Sequence, residues 1–334
     1  MKSLAHRLGV GAPLARLAAS GAALGLILLA LAGLLAWLEP GFLASRNLVN
    51  VVRAASILGL VAIGQALVLI VGGFDLTVGA VVAGASVLLA KVMLALTAAG
   101  HGEGSVITLG VLCALAGGAL VGIANGVLIA WFRLSAFMVT LATGAMVSGL
   151  SYFVTTGIPI YGMPETFMAW FGQGGGLPLP AVILVWVLVA GGAWLVQSRS
   201  RLALHLYATG GNERAAAVSG VNVRRCTVLA YAVSGVLAAL VGVMLSARLG
   251  SGQANIGAEL TLQSIAAAVI AGVSLRGGVG DMRRVVLSVL FLAVLGNGMN
   301  LLHIDSKLQT VFLGLVLMAA VAAEELSSHR RKLA

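Results

Sequence analysis

Apolar positions along this chain form long continuous runs that are separated by short polar or charged segments. A helix needs about 20 apolar residues to cross a bilayer. Runs near that length predict membrane-spanning helices rather than strands or the helices of a soluble domain. The pattern therefore predicts an all-α polytopic membrane protein with about ten transmembrane helices. The predicted spans are residues 17–38, 54–74, 76–98, 106–131, 134–154, 179–197, 227–247, 260–275, 284–303 and 308–323.

The first apolar run could be a signal peptide, because Lys2, Arg7 and Arg16 precede it. The apolar core of a signal peptide is usually about 7–15 residues long. The run at 17–38 is longer than that, so we interpret it as a retained span.

The basic residues predict how these spans are oriented. With a cytoplasmic N-terminus and alternating spans, 15 of the 20 Lys and Arg residues fall on the cytoplasmic side. The long connection 155–178 contains no Lys or Arg, as is typical of a loop on the outer side. We therefore expect one transmembrane domain over 1–334, with a cytoplasmic N-terminus (1–16), a helical bundle (17–323) and a cytoplasmic tail (324–334).

Composition supports the membrane interpretation and excludes several other classes. Hydrophobic residues make up 60% of the 334 residues and charged residues 9%, too few to cover two soluble domains. The net charge of +10 is dispersed between apolar runs, so we expect no nucleic-acid partner. Neither Cys113 nor Cys226 lies in a metal-ligand or disulfide pattern, and no Gly-Lys-Ser/Thr phosphate loop occurs. We expect no metal, no resident cofactor and no enzymatic activity in this chain.

The sequence Gly72-Gly-Phe-Asp75 interrupts two apolar runs without a charged loop. Glycine can end a helix, and the Asp75 carboxylate can cap the next one. The break fits either of two positions: at the cytoplasmic surface, or deeper, between two half-helices that face a cavity.

Two stripes of small residues recur every four positions and predict close helix packing. They are Gly118, Gly122 and Gly126, and Ser234, Ala238 and Gly242.

Several uncharged polar residues lie within or beside the predicted spans. Such residues commonly form interhelical hydrogen bonds. They could also line a path for an uncharged polar solute, because a charged solute would call for fixed countercharges that the spans lack. The candidate pathway residues are Gln65, Asp75, Thr140, Thr143, Asn297 and Asn300.

The connection 198–226 predicts a short ordered helix. Asn212 can cap its start, Ala215 to Ala217 favour helix, and Gly220 suits its end. We expect the three alanines to form a low exposed surface for a partner. The alternative is a surface helix resting on lipid, but the segment lacks the large apolar side chains typical of that role.

Six stretches in this order resemble the permeases of bacterial ribose/xylose-type ABC importers, and together they extend over most of residues 50–323. The sequence departs from the family pattern at Phe74, Ala136 and Ala142, where Ile, Pro and Gly are common. The matching stretches are Gly72-Gly-Phe-Asp-Leu-Thr-Val-Gly79, Asn125-Gly-Val-Leu-Ile129, Phe137-Met-Val-Thr-Leu141, Gly210-Gly-Asn-Glu-Arg-Ala-Ala216 with Ser219-Gly220, Ala271-Gly-Val-Ser-Leu-Arg-Gly-Gly-Val-Gly280 and Gly296-Asn-Gly-Met-Asn300.

The resemblance implies a fold like that of vitamin B12-type importer permeases in the bacterial inner membrane. It implies a second permease copy or paralogue, a cytoplasmic ABC ATPase that binds ATP and Mg²⁺, and a periplasmic solute-binding protein. It also implies that a helix at 211–220 docks on the ATPase. The implied coupling residues are Gly211, Asn212, Glu213, Arg214, Ala215, Ala216, Ser219 and Gly220.

The sequence is thus interpreted as the permease subunit of an ATP-driven importer for a small hydroxylated solute such as a monosaccharide. One alternative keeps the architecture and carries a nucleoside, a polyol or a furanose-like signal molecule. Another is an uncoupled channel or secondary transporter.

Overall fold

The computed structural model describes residues 22–174, 176 and 179–332, with the side chains of residues 320 and 323–332 left out. The proposed N-terminal segment 1–16 and the start of the first span lie outside this part of the chain. Within it the elements are helices and loops, with a short 3₁₀ helix at Pro40–Leu43 and a π-helical turn at Met168–Gln173. The helices are α1 (Ala22–Leu38), α2 (Ser45–Ile70), α3 (Val78–Ala98), α4 (Glu103–Phe132), α5 (Ala136–Thr155), α6 (Glu165–Phe167), α7 (Ala181–Arg199), α8 (Arg201–Gly211), α9 (Glu213–Val218), α10 (Val223–Leu249), α11 (Leu260–Ile270), α12 (Met282–Leu301) and α13 (Ser306–Lys332).

Every predicted span corresponds to a helix, so the prediction of an all-α polytopic membrane protein is confirmed. Seven of the helices in the described residues are long and apolar enough to cross a membrane. Three apolar helical segments are shorter: α1 (Ala22–Leu38), α11 (Leu260–Ile270) and the first part of α13 (Ser306–Ala319). The prediction of a full span at 260–275 is wrong, because α11 has only 11 residues and ends at Ile270.

The chain reaches α11 through an irregular segment, residues 250–259, that runs down beside α3. A Cβ at Gly252 would overlap Ala90, and one at Gly257 would overlap Val82, two turns closer to the start of α3. The backbone N–H of Gly79 then donates to Thr261 Oγ1 at 2.9 Å. The N-terminal ends of α3 and α11 therefore meet inside the bundle, each preceded by non-helical backbone.

The two ends of the bundle differ, and we call the one that carries α8 and α9 the α9 end. The last residue of α2, Ile70, lies there, because its carbonyl oxygen accepts a hydrogen bond of 2.8 Å from Gly278 in the loop that precedes α12. The opposite end carries residues 156–174, which pair with Gly252 through a two-way backbone bridge to Ile160.

Helices α2, α3 and α10 form the centre of the bundle. In α2, 78% of the residues of the apolar segment are buried, against 17% in α7. Apolar side chains gain nothing by leaving lipid for the protein interior, so this difference reflects packing and not hydrophobic sorting. The outward faces of α4, α5 and α7 carry the large exposed apolar side chains expected of a surface that meets lipid.

The glycine stripe of α4 packs against α10, as the sequence predicts. A Cβ at Gly118 would overlap the Gly235 carbonyl oxygen, and one at Gly122 would overlap that of Tyr231. The second predicted stripe, on α10, packs against two other helices: Ser234 lies against Gly64 of α2, and Gly242 lies against Val82 of α3. Helix α10 is thus in close contact with α2, α3 and α4.

We predict that Gly122→Ala lowers the stability of the purified protein by about 1–3 kcal/mol, because the added methyl group overlaps backbone that cannot rotate away. Thermal unfolding in detergent is the measurement. Gly149→Ala in α5 is the matched control, since its Cβ meets nothing within 4 Å. Equal unfolding temperatures for the two variants would contradict the close α4–α10 contact.

Candidate functional site

The break between α2 and α3 is held by a tyrosine of α10. The Tyr231 hydroxyl accepts the Phe74 backbone N–H at 3.0 Å and donates to the Phe74 carbonyl oxygen at 3.0 Å. One buried side chain thereby satisfies both the N–H and the C=O of Phe74, a residue outside the helices. Irregular backbone at membrane depth requires such partners, because no water is available to it.

Asp75 follows directly and is 2% exposed. Its Oδ1 accepts the backbone N–H of Thr77 at 2.9 Å and the Thr77 hydroxyl, while its Oδ2 accepts the Ser234 hydroxyl at 2.8 Å. The predicted placement of this carboxylate at the start of a helix is correct, although the capped N–H belongs to the residue just before α3. Ser234 lies 11 residues into α10, about 16 Å along the helix from its start at the α9 end.

The break combines features of the two positions that the sequence left open. Gly72 is exposed at the α9 end, whereas Asp75 and Thr77 are buried. The break therefore begins at the surface and continues into the bundle, where α3 starts.

Two further helices contribute polar groups to the break. Asn125 of α4 donates to Thr77 Oγ1 at 3.3 Å, and Thr140 of α5 donates to Ala136 O at 2.8 Å and approaches Phe74 O at 3.3 Å. Thr143, one turn further along α5, is only partly buried. We call Phe74, Asp75, Thr77, Asn125, Thr140, Tyr231 and Ser234 together the break cluster.

Gln65 stands apart from this cluster. It is 0% exposed, and neither its Nε2 nor its Oε1 has a hydrogen-bond partner in the part of the chain that the structure describes. An uncompensated buried amide is costly. Its neighbour in sequence, Gly64, packs against Ser234, which places Gln65 on the same turn of α2 as the contact with α10.

The remaining predicted pathway residues, Asn297 and Asn300, lie elsewhere, in a cavity of about 470 Å³ that we call the polar cavity. It is lined by α2, α11, α12 and α13 and extends from Asn50 towards Leu58, about 12 Å along α2. Its wall contains amide side chains, hydroxyl side chains, one basic residue and one acidic residue. The polar lining residues are Asn50, Arg248, Glu259, Gln263, Asn297, Asn300, Ser306, Gln309 and Thr310.

Both predicted asparagines are held in place by neighbouring amides. Asn297 and Asn47 exchange hydrogen bonds of 2.8 and 3.0 Å, and Gln309 donates to Asn300 Oδ1 at 2.9 Å. These bonds fix the side chains of α12 against α2 and α13 at the cavity wall. The structure thus places Asp75 and Thr140 in the break cluster and the two asparagines in the polar cavity, while Gln65 and Thr143 belong to neither.

Three backbone segments meet at the α9 end without side chains between them. A Cβ at Gly210 would overlap Ile70 O, and one at Gly277 would lie 2.9 Å from Gly72 Cα. A Cβ at Gly278 would lie 2.6 Å from Gly211 Cα. We call Gly72, Gly210, Gly211, Gly277 and Gly278 the glycine junction; it joins the end of α8, the start of the break and the loop before α12.

Helix α9 follows this junction directly and has the predicted ends. Asn212 Oδ1 accepts the Ala215 N–H at 3.0 Å, and Gly220 has a left-handed φ of 84° where the helix stops. The predicted alanine surface is only partly correct, because Ala216 is 5% exposed and packs inward. A six-residue helix needs at least one anchoring side chain, and Ala216 provides it. Val218 is instead 90% exposed.

The other residues of the predicted coupling segment are exposed, and they are Gly211, Glu213, Arg214, Ala215, Ala217, Ser219 and Gly220. No cluster of His, Cys, Asp or Glu in the described residues could hold a metal ion.

Sequence reasoning missed Tyr231, Ser234 and the glycine junction. The signal for the first two was indirect: a broken helix needs hydrogen-bond partners, and a tyrosine and a serine in an apolar span can supply them. The sequence shows that residues 277 and 278 are glycines, but it does not indicate which segment packs against them.

Comparison with known proteins gives a consistent set of relatives. The family model described as "Branched-chain amino acid transport system / permease component" matches residues 47–321. The chain is 36% identical over 311 residues to the ribose import permease protein RbsC of Bacillus subtilis (strain 168), covering 92% of this chain and 93% of that protein. No solved structure matches the chain.

Two relatives carry other sugar names. The chain is 34% identical over 295 residues to the D-allose transport system permease protein AlsC of Escherichia coli (strain K12), covering 86% of each. It is 32% identical over 319 residues to the galactose/methyl galactoside import permease protein MglC of Salmonella typhimurium, covering 92% of this chain and 94% of that protein.

We predict that Gly210→Ala destabilises the α9 end by about 1–3 kcal/mol, because its methyl group must separate α8 from Ile70. Gly211→Ala is the adjacent control, since its Cβ meets nothing within 4 Å. Hydrogen exchange of residues 68–75 and 205–225 measures the effect. Unchanged exchange in Gly210→Ala would show that the three segments do not touch.

We predict that Asp75→Leu costs more stability than Asp75→Asn. Leucine leaves the Thr77 N–H without an acceptor, a loss of about 1–3 kcal/mol, whereas asparagine keeps an oxygen in that place. The unfolding temperatures of the two purified variants test this order. The reverse order would mean that Asp75 is not an acceptor for this N–H.

Proposed function

The chain belongs to the family of branched-chain amino acid transport system permease components, and on this premise we propose that it is the membrane-spanning permease subunit of an ATP-driven importer for a monosaccharide. The observation that carries the proposal is similarity along most of the chain to permeases named for ribose, allose and galactose. In this proposal the chain forms the solute path, and a separate ATPase subunit hydrolyses ATP with Mg²⁺.

The chemistry of the polar cavity supports a sugar as the cargo. Amides both donate and accept hydrogen bonds, which suits a solute covered with hydroxyl groups. Among the charged side chains that the structure describes, only Arg248 and Glu259 line the cavity, and they have opposite signs. A nucleoside, a polyol or a furanose-like signal molecule has comparable hydroxyl chemistry and is a second cargo class for the same cavity.

The proposed orientation places the α9 end in the cytoplasm and the polar cavity on the outer side. Arg199, Arg201, Arg214, Arg224 and Arg225 all lie close to α9 in sequence, as expected for a cytoplasmic surface. Both termini are then cytoplasmic. The open end of the polar cavity faces a periplasmic solute-binding protein, from which the solute enters.

The break cluster is proposed as the barrier between the polar cavity and the cytoplasm. Asp75, Thr77, Tyr231 and Ser234 are already joined to the break by hydrogen bonds, so we take the path to be closed in this state. Opening requires α3 or α10 to move, which separates Asp75 from Ser234 and Phe74 from Tyr231. Such a two-state barrier is what an alternating-access importer needs.

The glycine junction supports a mechanical route from the ATPase to this barrier. A partner that displaces α9 also displaces Gly210, which is in direct backbone contact with Ile70 and close to Gly72. Because no flexible side chain lies between these segments, a displacement is passed on rather than absorbed. The first residues that receive it lead into Phe74 and Asp75.

The proposed assembly contains a second permease, identical or paralogous, two ATPase domains and one binding protein. Transport in proteoliposomes tests the proposal. The chain, its ATPase and its binding protein are reconstituted, and uptake of labelled ribose, allose, galactose, a nucleoside and a polyol is measured. We expect uptake of one monosaccharide that requires internal ATP and the binding protein.

Uptake without nucleotide would overturn the coupled mechanism in favour of a channel or secondary transporter. ATP-dependent uptake of the nucleoside or polyol alone would keep the mechanism and replace the cargo.

We predict that Val218→Arg abolishes coupling without harming the bundle, because it places a charge on the most exposed apolar side chain of α9. ATPase activity stimulated by loaded binding protein should fall at least tenfold, and uptake should fall with it. His205→Ala, on the exposed side of α8, is the control. Ala216→Trp is unsuitable, because Ala216 is buried and the variant would disrupt α9 itself. Wild-type stimulation in Val218→Arg would exclude α9 as the ATPase contact.

A further inference from the structure

A second cavity, of about 260 Å³, lies between α2, α7, α8 and α10 near the α9 end, and we call it the apolar cavity. Its wall consists of aliphatic side chains except for Gln197 and Tyr207 at one end. It shares no residue with the polar cavity or the break cluster, so it is not part of the proposed solute path.

The two polar side chains of the apolar cavity are already paired. Gln197 Nε2 donates to Tyr207 Oη at 2.8 Å, and Tyr207 donates to Gly280 O at 2.8 Å. Gln197 Oε1 accepts the Met282 N–H at 2.9 Å. Burial raises the pKa of the Tyr207 hydroxyl above its ordinary value, so this group stays neutral. A sugar would find no free hydrogen-bonding group here, whereas a hydrocarbon chain needs none.

The cavity has a mouth on the outer surface of the bundle. Three of its lining residues remain exposed: Val196 of α7 at 42%, Leu202 of α8 at 39% and Leu229 of α10 at 39%. The mouth therefore opens sideways, where the protein meets lipid.

An exposed arginine lies beside each of these three residues, on the side of the α9 end. Arg199 follows Val196 by three positions and Arg225 precedes Leu229 by four, spacings that put each pair on one helix face. Arg201 directly precedes Leu202 at the start of α8.

Within the part of the chain that the structure describes, the acidic groups near the mouth do not neutralise this charge. No residue from 197 to 212 is acidic. Asp281, next to the lining residue Met282, forms its ion pairs with Arg283 at 3.3 Å and Arg284 at 4.0 Å. Glu213 is exposed on α9, beyond the end of α8.

We propose that the apolar cavity binds an anionic phospholipid, with an acyl chain between α7, α8 and α10 and the phosphate against Arg199, Arg201 and Arg225. Basic pockets between transmembrane helices are suited to anionic headgroups, and the uncharged wall of the apolar cavity accommodates the acyl chain. The bound lipid packs against α8, the helix that leads into the glycine junction and α9.

Native mass spectrometry of the full-length chain tests the proposal, with dioleoylphosphatidylglycerol and dioleoylphosphatidylcholine as probes at low ionic strength. We expect retention of the anionic lipid to exceed that of the zwitterionic one at least tenfold. Arg199→Gln/Arg225→Gln should lower this preference at least tenfold, since each basic residue contributes about fivefold. The charge-matched control is Arg133→Gln/Arg214→Gln, two exposed arginines of the same end, one just after α4 and one on α9, neither of which lines the cavity.

Two further measurements distinguish the contribution of the acyl chain to binding from that of the headgroup. Ala193→Phe narrows the cavity from α7 and should reduce retention of both lipids at least fivefold. Glycerophosphoglycerol, which has no acyl chains, should not be retained.

Several outcomes would overturn the proposal. They are equal retention of the two lipids, equal effects of the two arginine pairs, and retention of glycerophosphoglycerol at the level of the intact lipid. A change of oligomeric state in Ala193→Phe without loss of lipid would instead identify the mouth as an interface between copies of this chain.

Discussion

The hydrogen bonds of Tyr231 with Phe74 are the interaction on which the centre of this protein depends. Within a bilayer each backbone polar group must find a partner in the protein. The chain nevertheless breaks its helices twice, before α3 and before α11. Tyr231 satisfies both groups of Phe74, Asp75 and Ser234 secure the next turn, and Thr261 accepts the Gly79 N–H. These bonds allow two helix N-termini to meet inside the bundle.

The break also explains why α10 carries so many small residues. Tyr231 and Ser234 reach the break only if α10 lies directly against α2, α3 and α4. Gly118 and Gly122 of α4 and Gly242 of α10 remove the side chains that would hold these helices apart. Close packing and the satisfied break are therefore two consequences of one arrangement.

The two cavities differ in chemistry because they face different surroundings. The polar cavity is lined by amides of α2, α12 and α13 at the end opposite to α9. The apolar cavity opens towards lipid beside α8. The first suits the proposed solute path and the second the proposed lipid site. The glycine junction lies close to both α8 and the break.

The sequence by itself determined the class of the protein, most of its spans and the ends of α9, because each depends on local properties: the length of apolar runs, the position of charges, and the capping residues Asn212 and Gly220. It also indicated that the helix breaks at Gly72 and that Asp75 lies at the start of the next one, where its carboxylate accepts the Thr77 N–H. Local pattern could not determine that α11 is short, that Ala216 is buried, or that Asn297 and Thr140 belong to separate sites. Those features depend on which segments approach each other in space. Gly277 and Tyr231 show the reason most clearly, since the importance of each lies in a backbone contact more than 150 residues away along the chain.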